Sequence, residues 1–197
     1  PPRPFVPGTE VTGVIAEMGS AVTRFHPGDR VCAGLDWGGM GEEVVTPDAT
    51  VFALPETVSF VDGVGLPNSY MTSLAAITWP HLLNLQAGET LLVHGAAGGV
   101  GLAAVEIGKI LGATVIGTAG SDDKVAAVTA AGADHVINYR EVDFREQVLQ
   151  ITDGAGANAI FDPVGGDVFD QSLRCIAPEG RITPIGFPLQ ISMPSLT

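Results

Sequence analysis

Residues 91–111 read LLVHGAAGGVGLAAVEIGKIL: a short apolar run, a glycine-rich turn, then a helical stretch with almost no polar face. Dinucleotide binding requires that order, because glycines let the backbone approach a pyrophosphate while the helix N-terminus offers it unpaired N–H donors. In Ala96-Ala97-Gly98-Gly99-Val100-Gly101 an alanine stands where the G-x-G-x-x-G pattern has its first glycine. The weight of the motif therefore comes from its context. A strand-like run ends directly before the turn, and the next one, from Ala113 to Thr118, follows within the span of one βαβ unit. Ala97, Gly98, Gly99, Val100 and Gly101 are the expected pyrophosphate contacts; a tight turn with glycines for packing alone is the competing reading. A phosphate at a helix end gains only about 0.3–2 kcal/mol, so a cofactor must be held by many contacts.

Outward from this stretch, strand and helix alternate. Strands are expected at 90–94, 114–118, 135–138, 159–162 and 181–185, and helices at 99–111, 122–131, 143–152 and 166–176. Such alternation predicts an α/β fold, a doubly wound parallel sheet covered on both faces with right-handed crossovers. Upstream the pattern changes. From Pro1 to about Val58, short β-rich runs at 10–17, 30–33, 41–45 and 50–54 are broken by proline and glycine, as in part of an all-β module. Between them, 59–85 reads as helical, with Ser59 able to cap it and Pro80 expected to end or kink it. The expected organisation is a partial β module at 1–58, a helical connection at 59–86 and a dinucleotide-binding domain at 87–197.

The chain has 197 residues, 46% of them hydrophobic, which suffices for a buried core. Its formal net charge of −13 opposes nonspecific binding to nucleic acid or to an anionic membrane. The two cysteines, Cys32 and Cys175, form no C-x-x-C pair, which fits a reducing, cytoplasmic setting better than a disulfide framework. The chain reads as soluble, since its most apolar helix is interrupted by Glu106 and Lys109. It opens with Pro1-Pro2 and stops after a βαβ series that has not visibly closed, as a fragment would.

The end of the second strand of the series bears on cofactor choice. An NAD-preferring sheet commonly carries a carboxylate there for the ribose 2′-hydroxyl, whereas this strand ends Gly117-Thr118-Ala119-Gly120-Ser121, with Lys124 one turn later. A small uncharged strand end with a hydroxyl and an ammonium suits a 2′-phosphate, so NADPH is the expected cofactor. Ser121 could equally be the N-cap of the next helix, with Asp122 and Asp123 favouring its dipole. At the other strand ends, Tyr139 is a candidate for the adenosine ribose phosphate region, and the backbone at Val164, Gly165, Gly186 and Phe187 for the nicotinamide half. Asp162 reads equally as a turn residue before Pro163 or as a ligand.

Pro7-Gly8-Thr9-Glu10-Val11, Pro27-Gly28-Asp29-Arg30-Val31, the glycine-rich turn, Gly132-Ala133-Asp134-His135-Val136-Ile137 and Asp162-Pro163-Val164-Gly165-Gly166-Asp167 occur in one order along the chain. In that order the chain resembles the medium-chain dehydrogenase/reductase superfamily, and within it the zinc-free, zeta-crystallin-like NADPH:quinone oxidoreductases. The resemblance implies part of a GroES-like β-barrel joined to a Rossmann domain whose last strand would lie beyond Thr197. It also implies hydride transfer from NADPH to a quinone or an α,β-unsaturated carbonyl. A 2-enoyl thioester reductase would share these motifs, and a noncatalytic NADPH-binding structural or regulatory protein could retain the fold.

Zinc-dependent relatives carry Gly-His-Glu where this chain has Gly8-Thr9-Glu10, and Cys32 is the only cysteine between Val31 and Val44, so no family-type zinc site is expected. His26, His81, His94 and His135 show no ligand spacing and read as surface or core residues. By resemblance, the segment Tyr70-Met71-Thr72 approaches the nicotinamide. Thr72 is then a cofactor contact, and Tyr70 a proton donor or substrate contact unless it is a core residue with a satisfied hydroxyl. The full-length protein is expected to be a homodimer with a small-molecule substrate.

Overall fold

A computed structural model describes residues 3–186 and divides the chain into two compact units, Pro1–Met71 and Thr72–Thr197. The first unit holds an antiparallel three-stranded sheet, β1 (Glu10–Val14), β2 (Arg30–Gly34) and β3 (Val51–Ala53). Phe25, Ala33 and Val51 form its buried centre, with Val11, Ile15, Met18 and Val22 packed around them. The Arg30 guanidinium lies over the Phe60 ring at 4.1 Å and donates to Val58 O, while Thr12 Oγ1 donates to Phe60 O. These contacts tie the sheet to α1 (Phe60–Gly63).

Two expectations fail in this unit, each for a local reason. The run 41–45 is not a strand: the segment 38–40 just before it turns against 6–8, with the N–H groups of Gly38, Gly39 and Met40 donating to Val6, Gly8 and Pro7, Gly41 N closes back on Gly38 O, and Val45 ends fully exposed. The helical stretch 59–85 is broken. Ser59 does cap α1, accepting from Asp62 N. Pro67, however, has no N–H to continue an α ladder, and Leu66–Tyr70 rewinds as a π-helical turn in which Ser69 and Tyr70 both donate to Gly65 O. Helix α2 (Met71–Thr78) then stops two residues before Pro80.

The second unit is a five-stranded parallel sheet of order β6-β5-β4-β7-β8. Its strands are β4 (Thr90–Val93), β5 (Thr114–Ala119), β6 (His135–Asn138), β7 (Ala157–Asp162) and β8 (Ile176–Pro184). Helices α3 (Gly99–Ile110), α4 (Asp122–Ala130), α5 (Phe144–Ile151) and α6 (Asp167–Ser172) connect them. Alternation along the strands assigns the two faces. Leu92, Ile116, Ile137 and Ile160 pack with Phe144 and Val148 of α5. On the opposite face, Gly108 of α3 lies against Leu91 and Val115, and Gly117 lies against Val128 of α4. Full burial of each such aliphatic side chain contributes roughly 1.5–3 kcal/mol.

The last crossover differs from expectation. Helix α6 ends at Ser172 rather than near 176, and β8 begins earlier but carries a bulge: Ile176 pairs with Ala157 and Arg181 already with Ala159. The extra residues include Pro178, which has no ladder donor, and Glu179, with a left-handed φ of 60°. Past the bulge, Arg181 clamps the strand to the approach to β4. Its guanidinium makes two bonds to the Glu89 carboxylate, 2.8 and 2.7 Å, and reaches Leu83 O and Asn84 O. The Arg181 guanidinium holds the Glu89 carboxyl below its ordinary range.

Directly after β4, His94 is buried and joins three elements. Ser172 Oγ donates to Val168 O, so it accepts from His94 Nε2 at 2.8 Å, and Thr118 Oγ1 meets Nδ1 at 3.1 Å. The ring meets Phe144 edge-on at 4.9 Å. Burial drives its pKa down from 6.5 to about 4, against the opposing pull of Asp162. The imidazole is therefore neutral, with its proton on Nε2.

Two outcomes are expected. Arg181→Ala should destabilise the protein by about 2–3 kcal/mol, because it leaves Glu89 and backbone carbonyls unanswered, and Arg181→Lys should recover less than half of this in urea denaturation. For His94 the folded pKa lies below the unfolded one, so the unfolded chain binds the extra proton, and stability falls as pH drops from about 6.5 toward about 4. The full shift corresponds to on the order of 3 kcal/mol. Denaturation midpoints across that window should fall more steeply for the parent than for His94→Gln; equal slopes would refute the assignment.

Candidate cofactor site

Strand order reverses between β4 and β7, where the chain leaves β4 for β5 on one side and β7 for β8 on the other. In open α/β sheets such a switch point leaves a crevice beyond the strand carboxyl ends. The glycine-rich turn stands on one side of it. Gly98 is the N-cap of α3, and Leu102 N is the first helical donor to reach back to it, so Gly99, Val100 and Gly101 present the N–H groups that an α-helix leaves without partners. Gly98 and Gly99 are exposed, Ala97 and Val100 half-buried, and Gly101 buried. A Cβ on Gly101 would strike Gly95 O and the Ala96 backbone, within 2.8 Å of Ala96 Cα. That close approach sets α3 against the end of β4.

The β7 end forms the other side. A Cβ on Gly95 would lie 3.5 and 3.7 Å from Pro163 and Val164, so the two loops are neighbours. Asp162 is fully buried, and its Oδ1 accepts from the N–H groups of Val164 and Gly165 at 2.9 and 3.0 Å. It acts as the turn residue. The N–H groups of Val164 and Gly165 are consumed in these two bonds. Ile185 N donates to Asp162 O, which brings Gly186, with φ 80°, to the same loop cluster. Phe187 lies outside the described residues.

At the β5 end, Gly120 is covered by the ring and hydroxyl of Tyr139, and Tyr139 N donates to Ala119 O. Half of Tyr139 remains exposed, beside the start of α4. Ser121 occupies the N-cap position of α4 but its side chain caps no N–H. Its hydroxyl bonds the Asp123 carboxylate, which it holds below the ordinary range. Lys124 is exposed one residue further on. The described β5 end, Ala119-Gly120-Ser121, carries no carboxylate, whereas the first turn of α4 carries Asp122 and Asp123.

These features fit a dinucleotide: a glycine turn without side chains at an open helix end and a small second-strand end. Thr72 is half-buried in α2 and is followed by Ser73, whose buried hydroxyl donates to Val100 O at 2.8 Å. Sequence reasoning passed over Ser73, an isolated serine in an apolar stretch, and left His94 as one histidine among four. Only the fold joins Ser73 to the turn and His94 to Ser172. Tyr70 lies half-buried at the end of the π-helical turn in the first unit. Among the described residues, no three His, Cys, Asp or Glu side chains converge to hold a metal ion, and no helix is long and apolar enough to cross a membrane.

Residues 1–56 match the alcohol dehydrogenase GroES-like domain, and residues 99–196 match the zinc-binding dehydrogenase family. The quinone oxidoreductase-like protein 2 homolog of Nematostella vectensis is 45% identical over 189 residues, covering 95% of this chain and 51% of that protein. The chain thus spans about half the length of that relative. A mycobacterial protein solved in complex with NADPH superposes with a TM-score of 0.86 at 31% identity, over 96% of this chain and 60% of its own. The CurK enoyl reductase superposes with a TM-score of 0.86 at 32% identity, over 94% and 55% of the two chains. By its two domain matches, its relatives and its strand order, the chain belongs to the medium-chain dehydrogenase/reductase superfamily, in the quinone oxidoreductase group.

Proposed function

We propose that the protein is an NADPH-dependent reductase of quinones or α,β-unsaturated carbonyls. The observation that carries this reading is the open glycine turn at the N-terminus of α3, next to the switch in strand order, together with a β5 end without a carboxylate. The similarity to a quinone oxidoreductase-like protein and to an NADPH complex supports it. Ala97 to Gly101 would hold the pyrophosphate at the helix N-terminus. Ser121, Lys124 and the exposed side of Tyr139 would take the 2′-phosphate, and Thr72 with the carbonyls of Val164, Gly165 and Gly186 the nicotinamide half. NADPH, when bound, supplies a hydride to the acceptor, and one proton from solvent or from Tyr70 completes the two-electron reduction.

The protein's contribution is to orient cofactor and acceptor and to exclude water. Reduction of an enoyl thioester is the second reading, favoured by the likeness to CurK enoyl reductase. A binding protein that no longer turns over is the third. Comparing NADPH oxidation with a quinone and with an enoyl thioester separates the first two, and NADPH binding without oxidation of either would favour the third.

Cofactor choice is testable by nicotinamide fluorescence. NADPH should bind more tightly than NADH, and Lys124→Ala should weaken NADPH about five- to tenfold, the loss of one charge-assisted contact, while leaving NADH nearly unchanged. Asp123→Asn should tighten NADPH, because it weakens the hold on the Ser121 hydroxyl and removes a like charge beside the phosphate. Equal binding of NADPH and NADH would remove Ser121 and Lys124 from the site.

A further inference from the structure

Several helical hydroxyls of the second unit turn back on their own backbone: Thr78, Thr129 and Ser172 each donate to the carbonyl four residues earlier, the usual arrangement for serine or threonine inside a helix. Ser73 departs from it. It lies with Ala76 and Ile77 on the buried stripe of α2, where a hydroxyl costs free energy unless it is hydrogen-bonded. Its proton goes to Val100 O at 2.8 Å, 27 residues away in the first turn of α3. Both residues belong to the second unit.

The carbonyl of Val100 and the N–H of Gly101 share one rigid peptide plane. A proton donated to the oxygen therefore fixes the direction of that N–H and polarises it. The N–H of Gly101 is one of the first-turn donors that an α-helix leaves without a partner, and Gly101 itself is pressed against Gly95 O and the Ala96 backbone with no room for a Cβ. The first turn of α3 is thus held twice, by the end of β4 and by Ser73 of α2.

We propose that Ser73 is a positioning residue of the cofactor site: through its bond to Val100 O it holds the first turn of α3 ready for the cofactor pyrophosphate. The inference rests on the nicotinamide-nucleotide reading and deepens it. Donors that need no rearrangement on binding hold a ligand more tightly. The pyrophosphate is common to NADPH and NADH, so the contribution of Ser73 is blind to the 2′-phosphate, unlike that of Lys124. Thr72 is the chain neighbour of Ser73, so the same bond also fixes the proposed nicotinamide contact relative to the turn.

Nicotinamide fluorescence of the purified protein, at a temperature where the variants keep the parental circular dichroism, tests the inference without requiring turnover. Ser73→Ala should raise the dissociation constants of NADPH and NADH by one common factor, about three- to tenfold, the loss of one hydrogen bond. Ser73→Cys fills the same space with a weak donor and should lose as much. Unchanged affinity in Ser73→Ala, even with a lowered melting temperature, would make the bond merely structural and overturn the inference. So would a loss confined to NADPH, or parental affinity in Ser73→Cys, which would assign the effect to packing. A parent that binds neither nucleotide would refute the cofactor reading and the inference together, whereas a parent that binds and a Ser73→Ala variant that binds equally well would refute the inference alone.

Discussion

The close approach of α3 to the end of β4 is the constraint from which the second unit is built. Gly101 has no room for a side chain because Gly95 O and the Ala96 backbone occupy that position. The same need for small residues recurs where Gly108 meets Leu91 and Val115, and where Gly117 meets Val128. With the helix pressed onto the sheet, its first N–H groups are aimed over the strand ends at the switch point. Packing alone demands these glycines, and under the proposed function the turn at 98–101 would serve ligand approach as well.

Behind this crevice stands a second layer of fixed polar contacts. Ser73 holds the carbonyl of Val100, Asp162 holds the N–H groups of Val164 and Gly165, and His94 links β4 to Thr118 and Ser172. The side chains of Ser73, Asp162 and His94 are all buried, so their hydrogen bonds satisfy costly buried atoms while they fix the turn and the strand ends. Asp162 also decides the chemistry its loop offers. By taking two amide donors inward it removes them from the groups that could meet a phosphate. The glycine turn opposite is a donor surface.

Electrostatics at the β5 end work in opposing directions. The missing carboxylate and the ammonium of Lys124 favour a phosphate, while Asp122 and Asp123 favour the helix dipole and oppose one. Ser121 stands between these demands, with its hydroxyl turned to Asp123. The proposed preference for the phosphorylated cofactor therefore rests on a small balance of nearby charges. The proposed pyrophosphate contacts rest on backbone geometry instead.

The sequence by itself determined the parallel sheet, because strict alternation of short apolar runs with helical ones has few other solutions, and the glycine turn, because its neighbours on both sides are strand and helix. It also determined the Ser59 cap, which depends on residues three apart. Local signals were enough wherever the controlling contact was local. They failed where a distant partner or a missing donor controlled the outcome: 41–45 lost its strand to a turn paired with 6–8, Pro67 rewound the connecting helix, and the bulge at Pro178 to Gly180 reset the register of β8. The roles of Ser73, His94 and Arg181 were likewise decided only by tertiary structure, since their partners lie 27, 78 and 92 residues away. A side chain's chemistry is written in the sequence, but which buried atom it must satisfy is known only once the sheet has brought the two together.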